Sequence, residues 1–226
     1  MEYKHTIRGR FESRKNRFIA HVWINGRSEI VHVKNTGRCR ELLLPGAEVI
    51  LEISDNPKRK TKYDLVSVYK ENLGWVNIDS QAPNMVVGEW LAKQDYTYVR
   101  PEYTYGASRI DFYMEKGGER YLMEVKGCTL EIDGVGYFPD APSERARRHV
   151  RELEKAVLEG YRGIIAFVIP MEGITRVLPN RETDAAFGDV LDEARRLGVE
   201  IWYFPCTVTE NTLKICGRIV DEASKK

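Results

Sequence analysis

Short runs of apolar residues, broken by turn signals, occupy the first 80 residues of the chain. Asn25-Gly26 separates the first two runs, and this dipeptide is a strong signal for a two-residue β-hairpin. Five strand-like runs in so short a stretch indicate a small barrel or sandwich. A five-stranded OB-like barrel is the economical choice, and barrels of this type often bind nucleic acid. The predicted strands are Phe18–Ile24, Ser28–Val33, Ala47–Ile53, Asp64–Tyr69 and Trp75–Ile78.

The pattern changes after the proline-containing break at Gln81–Asn84. Helical and strand-like segments then follow in the order α-β-β-β-α-β-α-β. Gly163–Pro170 is apolar throughout, which is typical of a strand buried on both faces. A hairpin that leads into a crossover helix and such a strand indicates a mixed sheet flanked by helices. We predict helices at Met85–Lys93, from Ser143 to Gly160, and at Thr183–Leu197, with strands at Tyr98–Tyr105, Arg109–Met114, Tyr121–Val125, Gly163–Pro170 and Glu200–Val208.

These two patterns divide the chain into an all-β domain of residues 1–82 and an α/β domain of residues 83–226. The net charge of +1 over 226 residues argues at first against a nucleic-acid partner. However, residues 1–83 hold fifteen Lys and Arg against ten Asp and Glu, so the remainder is net acidic. The near-neutral total is therefore a cancellation, and the basic half suits a phosphate-binding face. A plain solvated surface is the alternative reading of the same charges.

Cysteine usage and the N-terminal residues indicate a cytoplasmic protein. Four scattered cysteines form no Cys-x-x-Cys pair, which argues against zinc and favours reduced thiols. Residues 1–17 are polar and basic, without the apolar region of a signal peptide. No apolar stretch approaches the roughly 18 residues of a membrane helix, so we expect no membrane association.

The α/β domain contains one arrangement suited to catalysis. Asp111 lies on one predicted strand, and Glu124 and Lys126 share a face of the next. Strand alternation places Asp111 on one face of its strand and Ile110 and Phe112 on the other. A hairpin would then bring the carboxylates of Asp111 and Glu124 together. Neighbouring carboxylates repel unless a cation such as Mg²⁺ or Mn²⁺ neutralises them. Lys126 would then lie near a bound phosphate, although an isolated Glu-x-Lys is equally a surface ion pair.

The strand order and these residues resemble the PD-(D/E)-x-K nuclease superfamily, whose first helix often supplies another acidic residue. The resemblance gives Glu89 that metal-binding role, with an exposed helical glutamate as the alternative. Longer segments also form a pattern along the chain: His32–Arg38, Gly106–Phe112, Glu124–Leu130 and Phe138–Arg145, followed by His149. These segments resemble the sugar fermentation stimulation protein A family, which implies an OB-like domain, a restriction-endonuclease-like domain and DNA binding. The family name also implies a role in regulating sugar metabolism genes.

Basic and polar residues near these motifs are candidates for contacts with DNA. The turn from Asn35 to Arg38 carries amide, hydroxyl and guanidinium donors that suit backbone phosphates. His149 is also a candidate proton donor. Trp23, Tyr63 and Trp75 would stack bases or belong to the core. The candidate DNA-binding residues are Arg14, Lys15, Arg17, Asn35, Thr36, Arg38, Arg40, Arg145, Arg148 and His149.

Three functions remain open at this point. The first is a DNA-binding nuclease in which Asp111 and Glu124 hold the metal and Lys126 assists the attack of water on a phosphodiester. The second is a DNA-binding regulator that keeps the nuclease fold without turnover. The third and weakest is an OB protein that binds single strands or RNA. A nuclease that cuts both strands of a duplex can act as a homodimer, but the sequence shows no dimer face.

Overall fold

The computed structural model describes residues 1–35 and 37–224. The first unit of the fold is a closed β-barrel. Its strands follow the order β3-β2-β1-β4-β5-β6, and a parallel pairing of β3 with β5 closes the barrel. The predicted five-stranded OB-like barrel is therefore confirmed. The strands are β1 Thr6–Arg14, β2 Ile19–Ile24, β3 Arg27–Val33, β4 Glu48–Ile53, β5 Tyr63–Lys70 and β6 Gly74–Asn77.

The set of strands that closes the barrel differs from the prediction. β1 was not predicted, and β6, which pairs with β5, lies outside the closure. β1 escapes a hydrophobic search because Phe11 is its one fully buried side chain. Gly9 brings β1 close to β2, since a Cβ at Gly9 would lie 2.5 Å from Cγ1 of Val22. Backbone pairing with β2 and β4 holds β1 in place, and Gly9 permits the close approach to Val22.

The second unit is a mixed sheet with three helices, as predicted, and its seven strands include two, β15 and β16, that were not predicted. The main path runs β15-β14-β12-β9-β8-β7, and β16 pairs with β14. β7, β8 and β9 are antiparallel, whereas β9, β12 and β14 are parallel. The helices are α1 Ala82–Leu91, α2 Glu144–Leu158 and α3 Arg181–Leu197. The strands are β7 Tyr98–Tyr105, β8 Ser108–Lys116, β9 Glu119–Gly127, β10 Leu130–Ile132, β11 Val135–Phe138, β12 Arg162–Ile169, β13 Val177–Pro179, β14 Glu200–Val208, β15 Leu213–Ile215 and β16 Ile219–Val220.

The segment 127–142, where no strand was predicted, contains two short strands. β10 and β11 pair as a hairpin, and β13 joins β11 in parallel to complete a three-stranded sheet. Strands of three or four residues are too short to show a period in the sequence, which explains why they were missed. The predicted start of α2 is confirmed, because Ser143 Oγ accepts a hydrogen bond from the N–H of Ala146 at 3.1 Å.

Two apolar layers enclose the large sheet. α1 covers one face, where it packs on a cluster that includes Met123 and Phe204. α2 and α3 cover the other face, over Ile165 and Phe167. This second layer is continuous with the barrel interior, so buried residues such as Leu65 belong to the same cluster. The two units therefore share one core.

All four cysteines are free thiols: Cys39, Cys128 and Cys206 are buried, and Cys216 is exposed. Burial raises the pKa of Cys39 and Cys206 to about 12, which makes these thiols poor nucleophiles near neutral pH. None of the helices in the described residues is long and apolar enough to cross a membrane.

Candidate functional site

The sheet opens between β8 and β9 where the candidate carboxylates lie. Regular pairing of the two strands runs from Lys116 and Glu119 to Phe112 and Met123. Beyond this point the Asp111 side chain, through Oδ2, accepts the N–H of Val125 at 2.7 Å. A carboxylate therefore takes the place of a backbone acceptor in the ladder. Ile110 and Phe112, predicted to share a face, belong to different core clusters because the alternation is interrupted here.

Glu124 is the most enclosed carboxylate of the site, with 3% of its surface exposed. Its Oε1 contacts both Nζ of Lys126 and Nδ1 of His149. Because a carboxylate only accepts hydrogen bonds, Nδ1 of His149 carries the proton. Burial favours the neutral acid, but Lys126 and His149 outweigh it and hold the pKa of Glu124 below its usual value. Glu124 is therefore an ionised carboxylate inside the sheet.

Asp111 lies beside Glu124 and is held from two sides. In addition to the Val125 N–H, its Oδ1 accepts a hydrogen bond from Nδ2 of Asn84 on α1 at 2.7 Å. Burial and then the charge of Glu124 raise the pKa of Asp111, and Lys126 only partly offsets them. A cation bound next to both carboxylates would relieve this repulsion.

The two carboxylates fit a divalent cation. Oε2 of Glu124 is buried and has no hydrogen-bond partner in the described residues, and such an oxygen is costly unless something binds it. Among residues 1–35 and 37–224, no group of three or more His, Cys, Asp or Glu side chains is placed to hold a metal. Mg²⁺ commonly uses one or two protein carboxylates and keeps several waters, so Asp111 and Glu124 are sufficient.

Glu89, the predicted third acidic ligand, lies elsewhere. Its carboxylate pairs with the N-terminal amine of Met1 at 2.8 Å, and its side chain is 52% exposed. The residue of α1 that contacts Asp111 is Asn84, and five helical residues further along turn Glu89 about 140° away. The prediction for Glu89 is therefore corrected. No sequence pattern pointed to Asn84, because an asparagine directly before a predicted helix is commonly interpreted as its N-cap.

A cleft of about 540 Å³ lies between the two units. Its walls include the loop after β3 and the segment before α2. Arg38 N–H donates to Oδ2 of Asp140 at 2.8 Å, which joins these two walls. Pro83, Gly127 and Ser143 also line the cleft, and they adjoin the positions of Asn84, Lys126 and the helix that carries His149.

Arg14 was predicted to contact DNA, but the structure gives it an internal role. Its guanidinium donates to five backbone carbonyl oxygens, that of Asn16 at 3.3 Å and those of Arg17, Asn35, Gly37 and Arg38 at 2.6–2.9 Å. These donors are consumed in shaping the loop after β3, so they are not available to phosphates. A planar fork of five N–H groups is well suited to bind several carbonyls at once.

Replacing Arg14 by Ala is expected to lower the free energy of unfolding by about 2 kcal/mol, because several charge-assisted hydrogen bonds are lost together. Arg14→Lys should restore little of this, since a lysine presents a point charge without the fork. Urea denaturation measures the effect. Lys15→Ala, at the exposed neighbouring position, is the matched control and should change stability by no more than about 0.5 kcal/mol. Equal effects at both positions would contradict the role of Arg14.

Two further DNA-binding candidates are also internal. Asn35 Nδ2 donates to the carbonyl of Ile78 at 2.8 Å, and its Oδ1 accepts the N–H of Gly37 at 2.6 Å, so its side chain shapes the turn. His149 is 4% exposed and contacts Glu124, which places it in the carboxylate site rather than on a DNA-facing surface. Thr36 lies outside the described residues.

The remaining basic candidates are available to an anionic partner. All six are exposed, and none forms an ion pair with a carboxylate within residues 1–35 and 37–224. Arg17, Arg38 and Arg40 surround one shallow depression, and the first two also line the cleft. The available residues are Lys15, Arg17, Arg38, Arg40, Arg145 and Arg148.

The three aromatic candidates fall into two groups. Trp23 is 47% exposed on the barrel surface. Tyr63 packs against the shared core, and Trp75 is partly buried against both smaller clusters and the edge of Tyr69. Only Trp23, of these three, presents a ring that a base could stack on.

Comparison with known proteins covers nearly the whole chain. Residues 13–78 match the family model described as SfsA N-terminal OB domain, and residues 81–212 match the model described as Sugar fermentation stimulation protein RE domain. A sugar fermentation stimulation protein homolog of Desulfitobacterium hafniense (strain DSM 10664 / DCB-2) is 50% identical over 217 residues, 95% of each chain. The Clostridium beijerinckii homolog is 47% identical over 219 residues, 95% of this chain and 96% of its own.

A solved structure has the same architecture. SfsA of Pyrococcus furiosus, described in complex with Ca²⁺, superimposes with a TM-score of 0.85 at 26% sequence identity. The match covers 97% of this chain and 96% of that one. Both the barrel and the mixed sheet therefore have counterparts in this relative.

Proposed function

The chain belongs to the sugar fermentation stimulation protein family, and we propose that it binds DNA and hydrolyses phosphodiester bonds with a divalent metal. The observation that carries the proposal is the buried, unpartnered Oε2 of Glu124 beside Asp111. A carboxylate site that served only the fold would be expected to satisfy this oxygen internally. An intact lysine next to the pair adds the group that phosphoryl chemistry needs.

Asp111 and Glu124 would hold the metal, and we propose Mg²⁺ or Mn²⁺. Support comes from their oxygen chemistry and from the Pyrococcus furiosus relative, whose structure is described with Ca²⁺. When bound, such a cation stabilises negative charge on a phosphate and lowers the pKa of a coordinated water.

The neighbouring side chains orient and stabilise this site. Lys126, in contact with Oε1 of Glu124, is near enough to stabilise charge that develops on a phosphate held at the carboxylates. His149 donates to the same oxygen, which fixes the rotamer of Glu124 and leaves Oε2 free for the metal. Asn84 donates to Oδ1 of Asp111 and orients that carboxylate in the same way. Both carboxylates are thus oriented before substrate arrives.

The direct test is incubation of the purified protein with linear, circular and single-stranded DNA in Mg²⁺, Mn²⁺ or EDTA. We expect cleavage of at least one substrate with Mg²⁺ or Mn²⁺ and none in EDTA. Gel-shift measurement on the same preparations reports binding separately from cutting. If DNA binds but no substrate is cut with either metal, hydrolysis is refuted and the non-catalytic regulator becomes the better account.

A further inference from the structure

We propose that the cleft between the two units takes one strand of DNA, so that the preferred substrate is a single-stranded segment or end rather than an intact duplex. Hydrolysis of that strand rests on the function proposed above, whereas its binding in the cleft does not. The size and the charge of the cleft favour a single strand, and two of its lining residues are sequence neighbours of the carboxylate site.

The size of the cleft favours a single strand. Its volume of about 540 Å³ falls in the range of about 300–1,000 Å³ that is typical of sites for small ligands. A specific duplex interface instead covers roughly 1,000–2,500 Å² of protein surface. In addition, the bond from Arg38 to Asp140 ties the two walls together, and the shared core below them resists separation. A narrow cleft with tied walls therefore suits a single strand better than a duplex.

The charge of the cleft suits a phosphate backbone. Arg17 and Arg38 line it without a carboxylate partner among the described residues. The two acidic residues in the lining are already engaged, since Asp79 pairs with Lys34 at 2.7 Å and Asp140 accepts the Arg38 N–H. The half-buried ring of Tyr137 also lines the cleft, and an aromatic face binds a base of any sequence by stacking.

Two residues of the cleft wall are sequence neighbours of the carboxylate site: Gly127 follows Lys126 directly, and Pro83 precedes Asn84. These two residues pack closely, since a Cβ on Gly127 would lie 2.9 Å from Cγ of Pro83. In the proposed path, a strand that enters past Arg17 and Arg38 continues past this pair toward Asp111 and Glu124. An unpaired strand exposes its phosphates in such a channel, whereas in a duplex the partner strand would collide with the walls.

Charge reversal tests the path by binding alone. Arg17→Glu and Arg38→Glu, singly and together, are to be titrated against a fluorescent single-stranded oligonucleotide in EDTA, with anisotropy as the readout. The double variant should bind about tenfold more weakly or worse and show a flatter salt dependence. The matched control is Arg27→Glu, a reversal at another exposed arginine of the barrel, which should stay within about twofold. Equal losses in the double variant and in Arg27→Glu would overturn the proposal.

Obstruction of the cleft tests the strand form. Ala141 lines the cleft, and Ala141→Trp should weaken single-strand binding without altering the salt-dependent association with a duplex closed at both ends by hairpins. Thermal unfolding of the variant verifies that it folds. The wild type should prefer the single strand over this closed duplex by at least about tenfold. Tighter binding of the closed duplex, or full competition by a mononucleotide at equal concentration, would overturn the proposal.

These binding results separate the inference from the proposed hydrolysis. If cleavage is absent while the cleft variants still lose single-strand binding, hydrolysis fails and the cleft assignment stands. If cleavage occurs but is the same on closed duplex and single strand, and Ala141→Trp does not slow it, the cleft assignment fails and hydrolysis stands.

Discussion

Replacing Asp111 by Asn, or Glu124 by Gln, is expected to lower metal-dependent DNA cleavage by about a thousandfold without weakening DNA binding. A bound divalent metal stabilises the transition state by several kcal/mol, and each 1.36 kcal/mol corresponds to tenfold in rate. The amide variants keep the size of the side chains but remove the charge that holds the cation. Initial cleavage rates and gel-shift affinities, measured on the same samples, test the two parts of this expectation.

The matched control is Glu89→Gln. It removes one carboxylate from α1, at an exposed position paired with the N-terminal amine, and should leave cleavage within about twofold. A binding readout independent of turnover is the rise in melting temperature with added Mn²⁺, which should disappear in the Asp111 and Glu124 variants and persist in the Glu89 variant. Cleavage that persists at the wild-type rate after Glu124→Gln would exclude this site.

Asp184→Ala is expected to lower the free energy of unfolding by about 3–5 kcal/mol, the range for breaking a buried ion pair from one side. The Asp184 side chain, only 3% exposed, accepts both contacts of Arg147 at 2.6 and 2.7 Å. It also accepts the N–H of Ser143 at 2.9 Å and the N–H of Phe187 at 3.0 Å. Its removal leaves a partly buried guanidinium and two amide donors without partners. Chemical denaturation gives the loss directly.

Asp189→Ala is the control on the same helix. The side chain of Asp189 is 74% exposed, and its ion pair with Arg181 should contribute about 1 kcal/mol or less.

The Asp184 effect should also depend on pH. Although burial opposes ionisation, the two N–H groups and Arg147 hold the pKa of Asp184 below its usual value. Its stabilisation is therefore present above about pH 4 and is lost as the pH falls through the lower folded pKa. A difference between wild type and Asp184→Ala that stays constant into acid would contradict this assignment.

Much of the fold was readable from sequence because its elements have strong local patterns. The apolar run at Gly163–Pro170 marks the central strand β12, and the Ser143 cap fixes where α2 begins. The hairpin that carries Asp111 and Glu124 was predictable because its two strands follow each other in the chain, and alternation on β9 places Glu124 and Lys126 on one face. The interruption of the alternation at Asp111, which separates Ile110 from Phe112, could not be read from the sequence.

The missed features depend on contacts between distant parts of the chain. β1 is held mainly by backbone pairing with β2 and β4, and with Phe11 as its one fully buried side chain it shows no apolar alternation. Arg14 resembles a DNA-binding arginine until the folded loop directs five carbonyl oxygens toward it. Asn84 replaces Glu89 beside Asp111 because the rotation of α1 is set by its packing on the sheet. A residue type alone could not distinguish these structural roles from functional ones.

The core that runs without interruption from the barrel into the large sheet means that the two units are expected to unfold in one cooperative step. Each family model describes its own half of the sequence, but part of the apolar surface of each half is buried in the cluster that they share. A substitution deep in the barrel, such as at Leu65, therefore lowers the stability of the sheet that carries Glu124. Natural exchange of one domain for an unrelated one would have to rebuild this shared interior, so the barrel and the sheet are constrained to change together over evolution.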